Sequence, residues 1–215
     1  MEKIVVLNSG GFDSVTLIHY LKYILLGDIE TDIHSLHFLY GAPNERQQKE
    51  CVDKVCNKIQ CTNKVIELPK FDWTSNDYYK EGPSDLEGHS LEYRNLIFTS
   101  YAISYAQSIG ANTVYLAILN QGDYPDATID FLAGINRISE QSDIRVFAPF
   151  VDKNKFHVYH LAHYFGIKED DYFSCDSPDA TGHPCGVCED CKTIEQIRKE
   201  FDSSQFQYIF DKKFS

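Results

Sequence analysis

The sequence predicts an α/β fold, a Rossmann-like parallel sheet with helices on both faces. Three observations predict it. Apolar stretches of strand length alternate with helix-period stretches along nearly all of the 215 residues. The first of them, Ile4-Val5-Val6-Leu7, is unbroken and largely β-branched, which reads as a strand buried on both faces. It runs into Ser9-Gly10-Gly11-Phe12-Asp13-Ser14, after which Val15, Leu17, Ile18, Leu21 and Leu25 recur at helical spacing.

The remaining elements follow the same alternation. Residues 33–39 read as a second strand, a polar helix covers about 44–59, and 64–68 form a third strand. Residues 69–90 hold Pro, Gly, Asp, Ser and Tyr without periodicity and read as a long loop, a length that usually signals function or disorder. A helix over 91–109 ends at Gly110, a good residue to terminate it. A fourth strand covers 113–118, and a loop carrying Gly122-Asp123-Tyr124-Pro125-Asp126 leads to a helix ending near 139. A strand near 144–147, a helix over 155–165, a cysteine-rich segment and a helix near 193–201 complete the order. Repeated βα units imply a parallel sheet whose ligands bind at the carboxyl ends of its strands, where the hexapeptide lies. No repeat or linker divides the chain, so 1–215 reads as one domain with a C-terminal knuckle at about 172–201.

With 43% hydrophobic residues the chain can bury a core of single-domain size. Its net charge of −12 argues against an extended nucleic-acid surface, which needs clustered Lys and Arg. A small-molecule or protein substrate fits better. No apolar stretch approaches the roughly 20 residues of a membrane span, and no secretory signal precedes the first strand. A cytoplasmic protein with reduced cysteines is expected.

The hexapeptide is built to hold an anion. Two glycines let the backbone approach closely, successive N–H groups converge, and the helix N-terminus adds partial positive charge. It is neither a Walker A loop nor Gly-x-Gly-x-x-Gly. Ser-Gly-Gly-x-Asp-Ser after a first strand resembles the PP-loop of the ATP pyrophosphatase superfamily, which holds the β,γ-pyrophosphate of ATP while AMP is transferred. The bland alternative is a plain turn with a serine cap.

Cys185-Gly186-Val187-Cys188-Glu189-Asp190-Cys191 places three thiols at x-x spacing, with Cys175 ten residues upstream. Four thiolates suit a structural zinc with no position left open for water. An iron–sulfur cluster and redox disulfides are the alternatives. His183 could replace one thiol. Cys51, Cys56 and Cys61 read as core packing.

The two ends together resemble the 7-cyano-7-deazaguanine synthase family of the queuosine pathway, and intervening segments agree. Phe38-Leu39-Tyr40-Gly41, Arg94-Asn95-Leu96-Ile97-Phe98, Tyr124-Pro125-Asp126 and Ala148-Pro149-Phe150 with Lys155 all resemble segments of that family. The resemblance implies a PP-loop fold of the adenine nucleotide alpha hydrolase type, and a ligase that adenylates a carboxylated deazaguanine with ATP. Ammonia then displaces AMP, and a second ATP converts the amide to the nitrile. It also implies Ser9, Gly10, Gly11, Phe12, Asp13 and Ser14 on the triphosphate with Tyr40 beside the nucleotide, and Lys155 on the leaving pyrophosphate. Arg94 is a second cation, Mg2+ neutralises the remaining charge, and the protein is a homodimer. Arg94, Asn95, Asp123, Tyr124 and Asp126 are the candidate substrate residues, although Asp123 and Asp126 also suit turn or capping roles, and a solvated helix face is the alternative for Arg94 and Lys155.

Three departures stand out. The family's Tyr-Gly-Gln-x-His is Tyr40-Gly41-Ala42-Pro43-Asn44, its Pro-Gly before Arg-Asn is Glu92-Tyr93, and its Ser-Gly-Tyr-Pro-Asp-Cys-Arg appears as Gly122 to Thr128 without Ser, Cys or Arg. They leave two alternatives open. A divergent member, as in phage or anti-phage systems, would transfer the activated carboxylate to another amine or a protein. A non-catalytic nucleotide-binding protein would keep the loop without turnover.

Overall fold

Ile4 and Val6 point into one core and Val5 into another, as alternate residues of a strand must when both faces are covered. The computed structural model describes residues 2–27, 29–69, 93–120 and 124–203. Strand β1 (Glu2–Leu7) pairs in parallel with β2 (Thr31–Leu39) and with β4 (Thr113–Tyr115). Beyond them β3 (Thr62–Glu67) joins β2, and β5 (Arg145–Phe147) joins β4, giving the order β3-β2-β1-β4-β5. The winding direction reverses between β1 and β4, which makes a crevice at the carboxyl end of β1. The predicted doubly covered parallel α/β fold is the observed one.

One face is covered by α1 (Phe12–Tyr20), α2 (Glu45–Ile59) and α5 (Lys155–Tyr164), through Val15, Leu17, Ile18, Val52, Val55, Ile59, Val158 and Ala162. The other is covered by α3 (Arg94–Ile109) and α4 (Ile129–Ser139), through Ala102, Ala106 and Ile135. Helix α6 (Glu189–Ser203) buries Ile197 and Phe201, the latter against Tyr159 and His160 of α5. Cys51 and Cys56 are buried in α2, and Cys61 packs half-buried beside them. Gln60 is left-handed (φ +59°) and the Cys61 N–H bonds the Cys56 carbonyl at 3.1 Å, so this helix closes in a Schellman turn.

Several boundaries differ from the sequence reading. The helical period through Leu25 hides a change of pitch, because α1 widens into a π-helical turn over Leu21–Leu25. The fourth strand stops at Tyr115 rather than 118. Leu116 N still donates to Phe147 O at 2.8 Å, but beyond it the chain leaves the ladder. Helix α6 starts four residues before 193, within the cysteine segment. The long loop lies outside the described residues from 70 onward, as do 91 and 92 of the helix expected from 91.

Candidate functional site

The loop after β1 is shaped by its own side chains. Asn8 Oδ1 accepts from Gly10 N at 3.1 Å and Ser9 Oγ from Gly11 N at 3.2 Å. Ser14 Oγ donates to Gly11 O at 3.0 Å and lies 3.1 Å from Ser9 Oγ. Gly10 has φ +81°, and a Cβ there would sit 2.1 Å from Gln48 O, so only glycine fits. Beneath the loop, Asn8 is fixed through its side-chain amide to Ser35 Oγ at 3.1 Å and through its carbonyl to His37 Nδ1 at 2.9 Å. Burial lowers the pKa of His37 against the pull of that carbonyl, so the ring is neutral and donates from Nδ1.

Lys155 opens α5, and its Nζ meets Asp13 Oδ2 at 2.6 Å. A cation at a helix N-terminus opposes the macrodipole, so the helix alone does not account for it. Desolvation works against its charge, but Asp13, Asp190 and Asp176 outweigh it and raise its pKa. Asp13 Oδ1 is buried without a hydrogen-bond partner among the described residues. Across the crevice, Arg94 Nη1 donates to Tyr40 OH at 2.9 Å. Asp176 is within electrostatic reach of both Arg94 and Lys155. The residue is exposed overall, and desolvation, with Asp190 and Cys188 adding, pushes its carboxyl up to about 7.

Of the remaining predicted residues, Asp126 is buried, and its Oδ2 accepts from Asn95 N at 2.7 Å and Leu96 N at 3.3 Å, capping α3. Asn95 therefore enters through its backbone. Tyr124 is half exposed, and Asp123 and Gly122 lie outside the described residues.

The four thiols Cys175, Cys185, Cys188 and Cys191 lie within 4.8 Å of one another, and none is in a disulfide. A tetrahedral ion with ~2.3 Å metal–sulfur bonds sets sulfurs about 3.8 Å apart, and Cys188 and Cys175 Sγ are 3.9 Å apart. The sulfurs already accept backbone N–H groups, Cys185 N to Cys175 Sγ at 3.2 Å and Cys188 N to Cys185 Sγ at 3.3 Å, which suits thiolates. The thiol hydrogen bond from Cys175 pulls Cys188 below the usual thiol range. This donor set fits a metal. His183 is exposed and bonds Thr181 instead.

The knuckle lies on the loop. Phe173 N donates to Gly10 O at 2.9 Å, Ser174 Oγ accepts from Phe12 N at 3.0 Å, and Asn44 Nδ2 donates to Cys175 O at 2.9 Å. Sequence reasoning missed Asn8, Ser174, Asp176 and Asp190. Asp176 and Asp190 each stand next to a cysteine of the cluster in the sequence, and that adjacency is the only signal for them.

A protein-family model described as queuosine biosynthesis protein QueC matches residues 3–201. The chain belongs to the QueC family. Among curated relatives, the 7-cyano-7-deazaguanine synthase of Methanobrevibacter smithii is 29% identical over 230 residues, covering 94% of this chain and 95% of that protein. The synthase of Prochlorococcus marinus is 30% identical over 222 residues, covering 93% and 95%. Among solved structures, the U34-tRNA thiolase NcsA from Methanococcus maripaludis, with its 4Fe–4S cluster, superposes with TM-score 0.55 at 13% identity, covering 96% of this chain and 68% of that one. At that identity the likeness is one of fold, and the QueC chain has the PP-loop architecture. No helix among the described residues is long and apolar enough to cross a membrane.

Proposed function

We propose that this chain is an ATP-dependent ligase that converts 7-carboxy-7-deazaguanine and ammonia to 7-cyano-7-deazaguanine through an acyl adenylate. The observation that carries the reading is the Lys155–Asp13 pair at the mouth of the glycine loop, a cation placed against a helix dipole where a pyrophosphate would leave. Ser9 to Ser14 cradle the triphosphate, with Tyr40 beside the nucleotide. Lys155 stabilises charge on the departing pyrophosphate, and Arg94 faces the substrate carboxylate from the far wall. Asn95, Asp123, Tyr124 and Asp126 complete the substrate side, Asp126 by holding the first turn of α3 that presents Arg94 and Asn95. Mg2+ fits the orphaned Oδ1 of Asp13, and would neutralise phosphate charge when bound.

In the first half-reaction the carboxylate oxygen attacks the α-phosphorus and pyrophosphate leaves. Ammonia then attacks the acyl carbon, and AMP leaves to give the amide. A second ATP adenylates the amide oxygen, and loss of AMP and a proton gives the nitrile. The protein's part is to hold two anions together and keep water from the adenylate. Zinc, held by Cys175, Cys185, Cys188 and Cys191, serves as a structural staple. The reading takes 1–215 as one domain, working in the cytoplasm as a homodimer.

Incubation with ATP, ammonium and 7-carboxy-7-deazaguanine, followed by mass spectrometry, tests the reading. Nitrile with two AMP formed per product is expected. Asp13→Ala should abolish AMP release while leaving metal content unchanged. AMP without nitrile would move the acceptor to another amine or a protein, and ATP binding without AMP would refute the ligase.

A further inference from the structure

We infer that Ser174, carried by the metal knuckle, is a phosphate-binding residue of the nucleotide site; the inference rests on the ligase reading above. Each serine hydroxyl has one proton and two acceptor sites. Ser14 commits its proton to Gly11 O at 3.0 Å. The 3.1 Å contact between Ser14 Oγ and Ser9 Oγ must then be filled by the proton of Ser9. Both hydroxyls of the sequence motif are thus spent inside the loop, holding its shape. Ser174 is the exception. Its Oγ accepts from Phe12 N at 3.0 Å and donates to no acceptor among the described residues. Phe12 is the first residue of α1, at the positive end of the helix dipole. A hydroxyl there is fixed in place by the N–H it accepts and offers its own proton toward the position of an anion.

The strap that brings Ser174 to this position is tied on both sides. Phe173 N bonds Gly10 O at 2.9 Å, and Gln48 Nε2 bonds Phe173 O at 3.3 Å. On the other side, Asn44 Nδ2 holds Cys175 O at 2.9 Å, and Cys175 Sγ belongs to the four-thiol cluster. Ser174 thus lies between a residue anchored to the loop and one anchored to the cluster. The cysteine segment contributes a ligand-contacting group to the nucleotide site as well as a staple to the fold.

The test titrates ATP and, separately, AMP into the metal-loaded wild type, Ser174→Ala and Ser174→Thr by calorimetry, with elemental analysis of each sample. A hydrogen bond to a charged phosphate is worth roughly a tenfold to hundredfold change in affinity. Ser174→Ala should weaken ATP by about tenfold or more, with AMP affinity and metal content unchanged, and Ser174→Thr, which keeps the hydroxyl, should restore ATP binding. ATP affinity unchanged in Ser174→Ala overturns the inference. So does a parallel loss of ATP and AMP, or loss of metal, because either marks a residue that only supports the fold. Failure of the wild type to bind ATP refutes the underlying ligase reading instead.

Discussion

Gly10→Ala separates backbone strain from steric contact at the centre of the site. Gly10 has φ +81°, and a Cβ would meet Gln48 at 2.1 Å from O, 2.8 Å from C and 3.0 Å from Cα. These are backbone atoms inside α2, so no side-chain rotation relieves them. Gly110 supplies the control, with φ +71° and nothing within 4 Å of the same Cβ. Both alanines incur about 1–2 kcal/mol for the left-handed conformation. The overlap at Gly10 adds about 1–3 kcal/mol, for a total of about 2–5 kcal/mol. For a chain of this size, that is a fall of about 4–20 °C in Tm for Gly10→Ala, against about 2–8 °C for Gly110→Ala. The loop can escape only by moving away from α2, and under the proposed function that movement would weaken ATP binding. Differential scanning fluorimetry and an ATP titration of both variants read the two outcomes. If Gly10→Ala matched Gly110→Ala in Tm and the wild type in ATP affinity, the close approach of loop and helix would be refuted.

Two further predictions concern the thiol cluster and the buried histidines. Cys188→Ser should lose stoichiometric metal and melt at lower temperature; full metal occupancy in the variant would remove Cys188 from the ligand set, and the wild type's elemental content separates zinc from iron. Acidification should destabilise the fold through His37 and His19. Burial lowers both pKa values, against the carbonyls of Asn8 and Val15; Lys49, Asp53 and Glu45 bear on the first, and Lys58 and Asp171 on the second. The unfolded chain then binds more protons below about pH 6.5, so this stability is complete above that pH and is lost as pH falls, by up to about 1.4 kcal/mol per unit for each ring. Chemical denaturation between pH 7.5 and 5.5 measures the slope, and His37→Asn should remove its share.

The parts of the site legible in the sequence are those whose chemistry is contiguous. Ser9 to Ser14 follow an apolar strand, and three cysteines sit within seven residues, so strand, loop and donor set could be read locally. What joins them could not. The Phe12–Ser174 bond spans 162 residues and the Asn44–Cys175 bond 131. Asn44 stands where the resembling motif has histidine, and its amide does local work by holding the strap. Asp126 illustrates the same limit on the other wall. Its segment marks a turn, but that its carboxylate caps α3 from 31 residues away depends on tertiary packing. Tyr93, where the family pattern has glycine, has a left-handed backbone at φ +58°, a conformation glycine adopts at less cost.

Lys155 shows why placement rather than composition decides function in this fold. Asn154 caps α5 by accepting from His157 N at 2.9 Å, so the helix start is already satisfied before Lys155 is considered. At the next position an alanine or an acid would serve the helix better than a cation. The charge is tolerated because Asp13, 142 residues earlier, approaches to 2.6 Å with Asp190 and Asp176 behind it. Desolvation in turn raises the pKa of Asp176 and Asp190, and Lys155 acts against it at both. The cation is therefore unfavourable for its own helix and is offset by carboxylates brought from elsewhere in the chain. Such an arrangement is expected where a polyanion and its counter-charges must be accommodated together, at the crevice where β1 and β4 part.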